Sequence, residues 1–495
     1  MILEVFLALS VVWLTWYYIT VFYSRRGNAP PGPIPLPFIG NALQLGQHPP
    51  FTMDALWRAY GDVYQIQFPV GTFVIVNGYQ ATKEALVTKR DDFAGRPIDI
   101  MYPVDVITQA KSVASADYGV KFMFRKKLLK SAFRVFGESL ERVEERVNSA
   151  VVELIGVVEK SGGEPLYIKH HISSAITAQL WDWISSQRCR FGDETLNSLI
   201  EFQDKMIFLL MQGSLHQMLP FMKYLPTKFN RYLADVLRMR EEIFGTELHQ
   251  HLQTYNSDEP RDIIDNLIAS YEAEVGKGTT RDIGSIEDIK YLLLDIVVAG
   301  ADTSITSVSW FVLYMVLYRD VQKTLQAELD EVVGVDRLPR WSDIKNLHRL
   351  QSAVCEVMRI TGFLPWMPHR AIRDTTVQGY RIPKGTSVFI NYYRTHRDPK
   401  EFAAPEEFRP GRFLDADGKF VGWTGVAAFM PFGLGRRACI GQDLGKMQTF
   451  SVISSLLHQF SLALPELAPT PSLDEGKLGS LRHPVDYHVI ATKRH

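Results

Sequence analysis

Cysteine is scarce in this chain, which has only Cys189, Cys355 and Cys439 among its 495 residues. So small and odd a number excludes a disulfide framework and indicates a reducing compartment with at least one thiol free for chemistry. Net charge is also close to absent, because 54 basic residues balance 55 acidic ones to leave -1. A chain without a field of one sign has no general attraction to nucleic acid, and we expect no such partner.

Charge, glycine and proline are almost missing from residues 2–23, where Glu4 is the only charged side chain. A helix of this length spans a hydrocarbon core of ~30 Å. Arg25 and Arg26 follow, and the positive-inside rule places that end in the cytoplasm. A cleaved signal peptide is the alternative, but the apolar run is too long and no basic segment precedes it. We therefore predict that residues 1–24 form a membrane anchor.

A basic and proline-rich linker is predicted over residues 25–40. It has five prolines within 30–37. Proline fixes φ and lacks the N–H group, so this stretch cannot be a helix or a central strand and is typical of a stiff spacer. No internal repeat and no second long linker follow, so residues 41–495 are predicted to be one large domain.

The pattern of that domain is mainly helical with a smaller β portion. Alternating residues at 62–68 and 72–77 predict a β-hairpin. Apolar periodicity indicates helices near 138–158, 196–218, 228–254 and 288–318, and another after Cys439. Two short strands around a turn are predicted at 379–391, and further strands near 482–492.

The helix at 288–318 is apolar enough to be mistaken for a second membrane span. Asp295 and Asp302 argue against that interpretation, since a carboxylate at bilayer depth costs ~3 kcal/mol. We therefore predict a buried helix through the centre of a large core, with something polar opposite Asp302.

The strongest local pattern reads F-x-x-G-x-R-x-C-x-G. Its residues, with one further glycine, are Phe432, Gly433, Gly435, Arg437, Cys439 and Gly441. The glycines let the backbone approach a flat ligand closely. Arg437 offers a fork for a carboxylate, and Cys439 precedes a helix whose N-terminus favours a thiolate. This set suits a haem with Cys439 on the iron and Arg437 on a propionate. A buried structural cysteine is the alternative.

With this motif the chain resembles the cytochrome P450 family, animal microsomal type, in the branch with drug-metabolising and steroid-17-hydroxylating members. The resemblance extends from the anchor to near the C-terminus. It implies a P450 fold, haem b (iron protoporphyrin IX), O2 and a lipophilic substrate. It also implies electrons from NADPH-cytochrome P450 reductase, with cytochrome b5 as a further partner. The implied location is the endoplasmic reticulum membrane, with the catalytic domain facing the cytoplasm.

Residues 299–304 (Ala-Gly-Ala-Asp-Thr-Ser) resemble the oxygen-activation motif of the family. The resemblance implies that Ala299 and Gly300 clear space beside the iron. It further implies that Thr303 binds oxygen through a hydrogen bond and that Asp302 relays protons. Taken alone, Thr and Asp at these positions fit a helix cap or a kink equally well.

Glu356 and Arg359 form an E-x-x-R pair that shares one helix face. Alone, such a pair is most often a surface ion pair. The resemblance implies that Arg412 joins it in a structural triad that supports the haem-binding region. Gly411 departs from the family, which usually has Glu before this arginine.

The resemblance implies that His369 contacts a haem propionate. The family motif W-x-x-x-R appears here as Phe122 and Lys126, which lack the indole N–H and the bidentate fork. Arg125 is predicted to substitute, so both Arg125 and Lys126 are candidate haem contacts.

Basic side chains crowd the same predicted helix at Lys126, Lys127, Lys130 and Arg134. A solvated charged face is the common interpretation of such a run. We favour a docking surface for an acidic electron donor, as the resemblance implies.

A substrate pocket is also implied by the resemblance. Its predicted lining, with the loop 478–481, is Met101, Val106, Leu209, Leu210, Val298, Phe363, Leu364, Trp366 and Met367. These apolar residues suit a lipophilic ligand. The predicted function is therefore a haem-thiolate monooxygenase acting on a steroid, fatty acid or xenobiotic. The alternatives are a haem-thiolate isomerase or dehydratase acting on lipid peroxides, and a non-catalytic haem- or lipophile-binding protein.

Overall fold

Helices make up most of the chain and strands a small part, as predicted. The computed structural model describes residues 2–24, 27–46, 49–138, 140–278 and 284–495. Arg25, Arg26 and the side chain of Arg134 lie outside the described residues. The α-helices are α1 (Ile2–Ser24), α2 (Pro49–Tyr60), α3 (Tyr79–Lys83), α4 (Val104–Thr108), α5 (Val120–Glu138), α6 (Leu140–Lys160), α7 (Ile168–Ser185), α8 (Glu194–Met218), α9 (Lys228–Arg240), α10 (Thr246–Thr254), α11 (Ile263–Val275), α12 (Ile289–Leu317), α13 (Arg319–Val333), α14 (His348–Thr361), α15 (Tyr392–Thr395) and α16 (Gln442–Gln459). The strands are β1 (Val63–Phe68), β2 (Gly71–Val76), β3 (Trp366–Arg370), β4 (Thr375–Val377), β5 (Tyr380–Ile382), β6 (Ser387–Asn391), β7 (Phe460–Ala463), β8 (Gly476–Leu478), β9 (Arg482–Pro484) and β10 (Ile490–Lys493).

Helix α12 is the central element of the core, which confirms the prediction for 288–318. It packs against α7, α14, α16 and β9. Two helical stretches are long and apolar enough to cross a membrane, and burial separates them. The stretch Ile286–Leu317 is 78% buried, whereas Glu4–Tyr23 in α1 is 6% buried. The first is therefore a core helix, and the second has the exposure that a lipid-facing helix needs.

The largest sheet has the strand order β1-β2-β6-β3. The predicted hairpin is confirmed, with Val63 opposite Val76 and Phe68 opposite Gly71. The two strands predicted at 379–391 exist but do not pair with each other. Strand β5 pairs with β4, and β6 runs parallel to β2 and antiparallel to β3. Short strands take their partners from tertiary contacts, which a local pattern does not reveal.

The two-stranded sheets bring the end of the chain onto the helical core. Strand β9 pairs with β8, and β10 pairs with β7 at the end of α16. The strands predicted near 482–492 are therefore present, in two different sheets.

The proline-rich linker lies against β1. The backbone N–H of Gln65 donates to the carbonyl of Pro31, and its side-chain amide donates to the carbonyl of Pro30. A proline has no N–H group but its carbonyl still accepts hydrogen bonds, so this segment follows an edge strand. The described part of the linker is thus packed on the sheet.

Candidate functional site

A cavity of about 320 Å³ lies between α12 and the loop that carries Cys439. Ile296, Ala299, Gly300 and Thr303 of α12 form one wall, and Cys439 belongs to another. Gly300 also brings α12 close to α7, because a Cβ atom there would lie 3.2 Å from Leu180 Cδ2.

The loop before α16 folds back so that Cys439 opens into this cavity. The N–H of Cys439 donates to the carbonyl of Phe432 at 2.8 Å, and Gly433 has a φ of +67°. Helix α16 begins at Gln442, as predicted. Burial raises the pKa of the Cys439 thiol, although the Gly441 N–H and the Lys446 ammonium both favour the thiolate. The predicted helix effect is thus present but is outweighed in the unligated chain, because desolvation penalises the charge more.

Not every glycine of the motif faces the cavity. Phe432, Gly433 and Gly441 line it, and Gly435 does not. A Cβ atom at Gly435 would lie 1.9 Å from the carbonyl oxygen of Leu86. The prediction that Gly435 contacts a ligand is therefore corrected: this glycine permits close backbone packing instead.

Three cationic side chains line the cavity without a carboxylate partner. Arg437 donates to the carbonyls of Ala94 (2.6 Å) and Ala116 (2.7 Å). Arg96 donates to backbone carbonyls too, and Lys126 donates to the carbonyl of Arg436. Among the described residues, no acidic group lies within ion-pair distance of these three. A buried charge without a counter-ion is costly, so the arrangement favours an anionic ligand.

The pKa values of all three cations are lowered, as is expected for buried cations without a nearby negative charge. Burial lowers the pKa of Arg437 to about 9 and that of Arg96 to about 10. Burial, together with Lys130 and Arg437, lowers the pKa of Lys126 to about 8. A ligand with two carboxylates, such as a haem with its propionates, removes this penalty. The residues present therefore fit a haem, with one thiol on the wall and a cationic edge.

Arg96 was not predicted from the sequence. The signal was weak, since a single arginine between Gly95 and Pro97 is typical of an ordinary loop. Its side chain reaches the cavity only because the loop folds onto β3, where Gly95 exchanges backbone hydrogen bonds with Arg370.

The prediction for Arg125 is corrected, because its side chain points away from the cavity. It donates to the carbonyl of Ala110 at 3.0 Å and pairs with Asp288 at 3.3 Å. Lys126 lines the cavity as predicted. Successive helical residues point about 100° apart, so only one of these neighbours can face the site.

His369 lines the cavity wall on β3. Its Nδ1 atom lies 2.8 Å from the carbonyl of Phe93 and so carries the proton. Burial, with Arg96 nearby, holds the pKa of His369 well below its usual value. The imidazole is therefore neutral, and Nε2 is an acceptor.

Thr303 and Asp302 occupy different faces of α12. Thr303 lines the cavity, and its hydroxyl donates to the carbonyl of Ala299 at 2.7 Å. Asp302 is buried outside the cavity lining, 3.8 Å from His483 Nε2. Burial raises the pKa of Asp302 to about 7, with Lys169 opposing the shift. This carboxyl can exchange protons near neutral pH, as a relay group must.

Glu356, Arg359 and Arg412 meet in the core beside this site. Glu356 accepts from Arg359 Nε at 2.7 Å and from Arg412 Nε at 3.0 Å. Glu356 and Arg359 have no exposed surface. The two arginines also donate to carbonyls of the loop 403–407, so the triad ties α14 to that loop. Gly411 leaves the triad intact.

The cavity lining includes some of the predicted substrate residues. Phe363, Leu364 and Met367 line the cavity. The other predicted residues do not, and they are Met101, Val106, Leu209, Leu210, Val298 and Trp366. Trp366 packs against the cluster that contains Tyr64 and Phe73, on the opposite face of β3 from Met367, because side chains alternate along a strand. The loop 478–481 also lies outside the lining.

Several cavity residues were missed by the sequence reasoning. They are Val113, Ala114, Leu180, Asp295 and Ile296. Asp295 accepts the backbone N–H groups of Val113 and Ala114, which fixes the segment before α5 against α12. Asp295 lies seven residues before Asp302 on α12, which is about two turns away along nearly the same side of the helix.

A basic groove of about 380 Å³ lies outside the cavity. Arg90, Lys126, Lys127, Lys130 and Arg436 line it. Lys127 also pairs with Glu274 at 2.7 Å. The predicted basic surface on α5 therefore extends to the loop before Cys439.

A sequence model of cytochrome P450 matches residues 30–491. The chain belongs to the cytochrome P450 family. It is 31% identical to a steroid 17-alpha-hydroxylase/17,20 lyase of Oryzias latipes over 99% of this chain and 96% of that protein. It is 33% identical to cytochrome P450 1A1 of Chelon auratus, over 94% and 93%.

A solved structure supports the same fold. The zebra fish cytochrome P450 determined with progesterone has a TM-score of 0.80 and 29% identity, covering 90% of this chain and 99% of that one. The predicted fold class, the haem-thiolate cofactor and the monooxygenase activity are thereby confirmed.

Proposed function

We propose that this P450 binds haem b and hydroxylates a steroid or an aromatic xenobiotic in the cavity between α12 and the Cys439 loop. The observation that carries the proposal is the single cavity that joins the Cys439 thiol, three unpaired cations and an apolar wall. The activity named for the steroid 17-alpha-hydroxylase/17,20 lyase relatives is consistent with a steroid substrate.

The Cys439 thiolate would hold the haem iron, and Arg96, Lys126 and Arg437 would pair with the propionates. When bound, the haem supplies reductive activation of O2, which the thiolate ligand favours. The neutral His369 lies near Arg96 and Arg437, and it holds the loop of Arg96 through the carbonyl of Phe93.

Thr303 and Asp302 are the proposed proton-handling residues. Thr303 presents a hydroxyl to the cavity, and Asp302 holds a proton at its carboxyl that leaves near pH 7. Because the two residues are adjacent on α12, the path of a proton from the Asp302 carboxyl to the Thr303 hydroxyl is short. The chain thus places its relay group outside the substrate space.

Substrate binding is assigned to the apolar wall of Val113, Leu180, Ile296, Phe363 and Met367. Such a wall suits a rigid lipophile with few polar groups. Asp295 is the one acid on the wall, and its carboxylate is engaged by backbone N–H groups. We propose that Asp295 holds the segment before α5 against α12 and so closes this side of the cavity.

Electron supply is proposed to come from NADPH-cytochrome P450 reductase, with cytochrome b5 as a second donor, through the basic groove near α5. The proposed location is the endoplasmic reticulum membrane, held by residues 1–24, with residues 41–495 facing the cytoplasm. The low burial of α1 and the arginines after it support this arrangement.

The test is a reconstituted assay with reductase, NADPH, O2 and a panel of steroids, fatty acids and polycyclic aromatics. We expect a hydroxylated product whose new oxygen derives from O2, and no product with Cys439→Ala. Cys189→Ala, a buried thiol outside the cavity, is the control and keeps activity. Turnover of a lipid hydroperoxide without NADPH, and no oxidation with it, would assign the isomerase alternative instead.

A further inference from the structure

A cluster of two histidines and an aspartate lies where α13, α16 and β10 end. We propose that Asp330, His458 and His495 bind a zinc ion. One ligand atom of each lies within 4.8 Å of the other two. Helix α16 has 18 residues and spans about 27 Å, with Cys439 near its first turn and His458 in its last. The cluster is therefore remote from the haem cavity.

The spacing of two proposed ligands, Asp330 and His495, is that of neighbouring ligands in a zinc site. His495 Nε2 lies 3.4 Å from Asp330 Oδ1, which is long for a hydrogen bond. Zn–N and Zn–O bonds of ~2.0–2.2 Å in a tetrahedron place neighbouring ligands about 3.4 Å apart. Asp330 Oδ1 is also buried and accepts no hydrogen bond within the described structure.

His458 is oriented as metal-binding histidines are. Its Nε2 lies 2.7 Å from the carbonyl of Gly334, so Nε2 carries the proton and Nδ1 carries the lone pair. The Gln459 amide donates to Nδ1 at 2.8 Å and is the group that an ion displaces. A ring N–H held by a backbone carbonyl fixes the tautomer of a ligand.

Asp330 is oriented by a second contact of the same kind. Arg494 donates to Oδ2 at 2.6 Å, which leaves Oδ1 for the ion. The ends of α13 and α16 add negative partial charge from their last carbonyls, which favours a cation. Two imidazoles and one carboxylate leave a fourth position for water, a donor set that zinc accepts.

A second cluster offers a contrast. His251 is held by Asp262 at 3.1 Å and by the carbonyl of Glu247 at 2.9 Å, so both ring nitrogens are engaged. Asp265 in that cluster is bound by Arg261 at 2.6 Å. Both carboxylates there already neutralise cations, and no ring nitrogen is left for a metal. At the Asp330 site, the Nδ1 atom of His458 accepts from the neutral Gln459 amide, which an ion can displace without breaking an ion pair.

The consequence of binding is stabilisation of the end of the chain. An ion bound only by the folded state adds stability that grows with its concentration. It ties the segment after β10 to α13 and α16.

The experiment is isothermal titration of the full-length holoenzyme, without a histidine tag, with zinc chloride. We expect one zinc per chain. His495→Ala and Asp330→Asn each weaken binding by at least about tenfold, as loss of a ligand does. His249→Ala removes an exposed histidine of α10 and is expected to leave binding unchanged.

The melting temperature gives a second readout. Zinc is expected to raise it in the parent chain and in His249→Ala, and not in His495→Ala. The reduced carbonyl spectrum should be the same in all forms, since the site is remote from the haem. Absence of binding, or equal affinity in His495→Ala and the parent, overturns the proposal.

Discussion

The guanidinium of Arg437 stacks on the ring of Phe122, 3.9 Å from its centroid. The resemblance to the family motif W-x-x-x-R implies that Phe122 stands at the tryptophan position, and a phenyl ring has no N–H to offer a propionate. The ring instead holds the fork of Arg437 towards the cavity through a cation–π contact. Phe122 therefore donates no hydrogen bond to a propionate, but it positions Arg437, which can.

Replacing Phe122 should loosen the haem. A buried cation–π contact contributes ~1–2 kcal/mol, so Phe122→Leu is expected to speed haem loss roughly tenfold. Phe122→Trp should retain the contact. The measurement is haem transfer to an apoprotein acceptor. Phe124→Leu on the same helix is the control, because Phe124 packs on Tyr271 outside the cavity. Equal loss rates for the two leucine variants would contradict this role.

Arg96 and Arg125 should separate haem binding from stability. Arg96→Gln removes a cavity cation and is expected to weaken haem affinity by about tenfold, since a charged hydrogen bond contributes ~1.5–3 kcal/mol. Arg125→Gln breaks the contact with Asp288 and should lower the melting temperature without changing haem affinity. Haem titration and thermal unfolding of both variants check this. If Arg125→Gln weakened haem affinity and Arg96→Gln did not, Arg125 and not Arg96 would be the haem contact.

The sequence predicts the parts of this site that depend on neighbours along the chain. The Cys439 loop and the Glu356–Arg359 pair are local patterns, and the structure places both as expected. Arg125 and Lys126 are adjacent and equally basic, so only the rotation of α5, set by packing, decides which faces the cavity. Arg96 reaches the site because its loop pairs with β3, and the residues next to Arg96 in the sequence do not predict that pairing.

Asp302 should make activity depend on pH. Burial raises its pKa from 3.8 to about 7, so the folded protein keeps a proton there that the unfolded chain loses. The free energy of unfolding therefore falls as pH rises from about 4 to 7. The protonated form is the proton donor, so hydroxylation should decline above pH 7.

Asp302→Asn is the corresponding variant. It should abolish the pH step and lower product formed per NADPH, with more peroxide released. Asp204→Asn is the companion variant: the negative charge of Asp204 raises the pKa of Asp302, so its removal should move the pH step to lower pH without abolishing it. A wild-type pH profile in Asp302→Asn would remove this residue from the relay.

The buried triad should be far more sensitive than a surface pair. Glu356→Gln leaves Arg359 and Arg412 without their counter-ion, at a cost of ~3–5 kcal/mol. We expect little haem uptake and a much lower melting temperature. Glu407→Gln is the matched control, since its side chain pairs with the exposed Arg409 and contributes below ~1 kcal/mol. Normal haem content in Glu356→Gln would contradict a structural role.

The basic groove should control electron transfer. Lys130 is exposed in this groove, and at physiological salt charges interact over only ~8 Å. Reduction by the flavoprotein should therefore slow as salt rises, and Lys130→Glu should be slow already at low salt with a flatter salt dependence. Stopped-flow reduction under carbon monoxide measures both. Lys323→Glu, exposed on α13, changes the net charge equally and should behave as the parent. If both variants slowed equally, net charge and not this groove would govern the encounter.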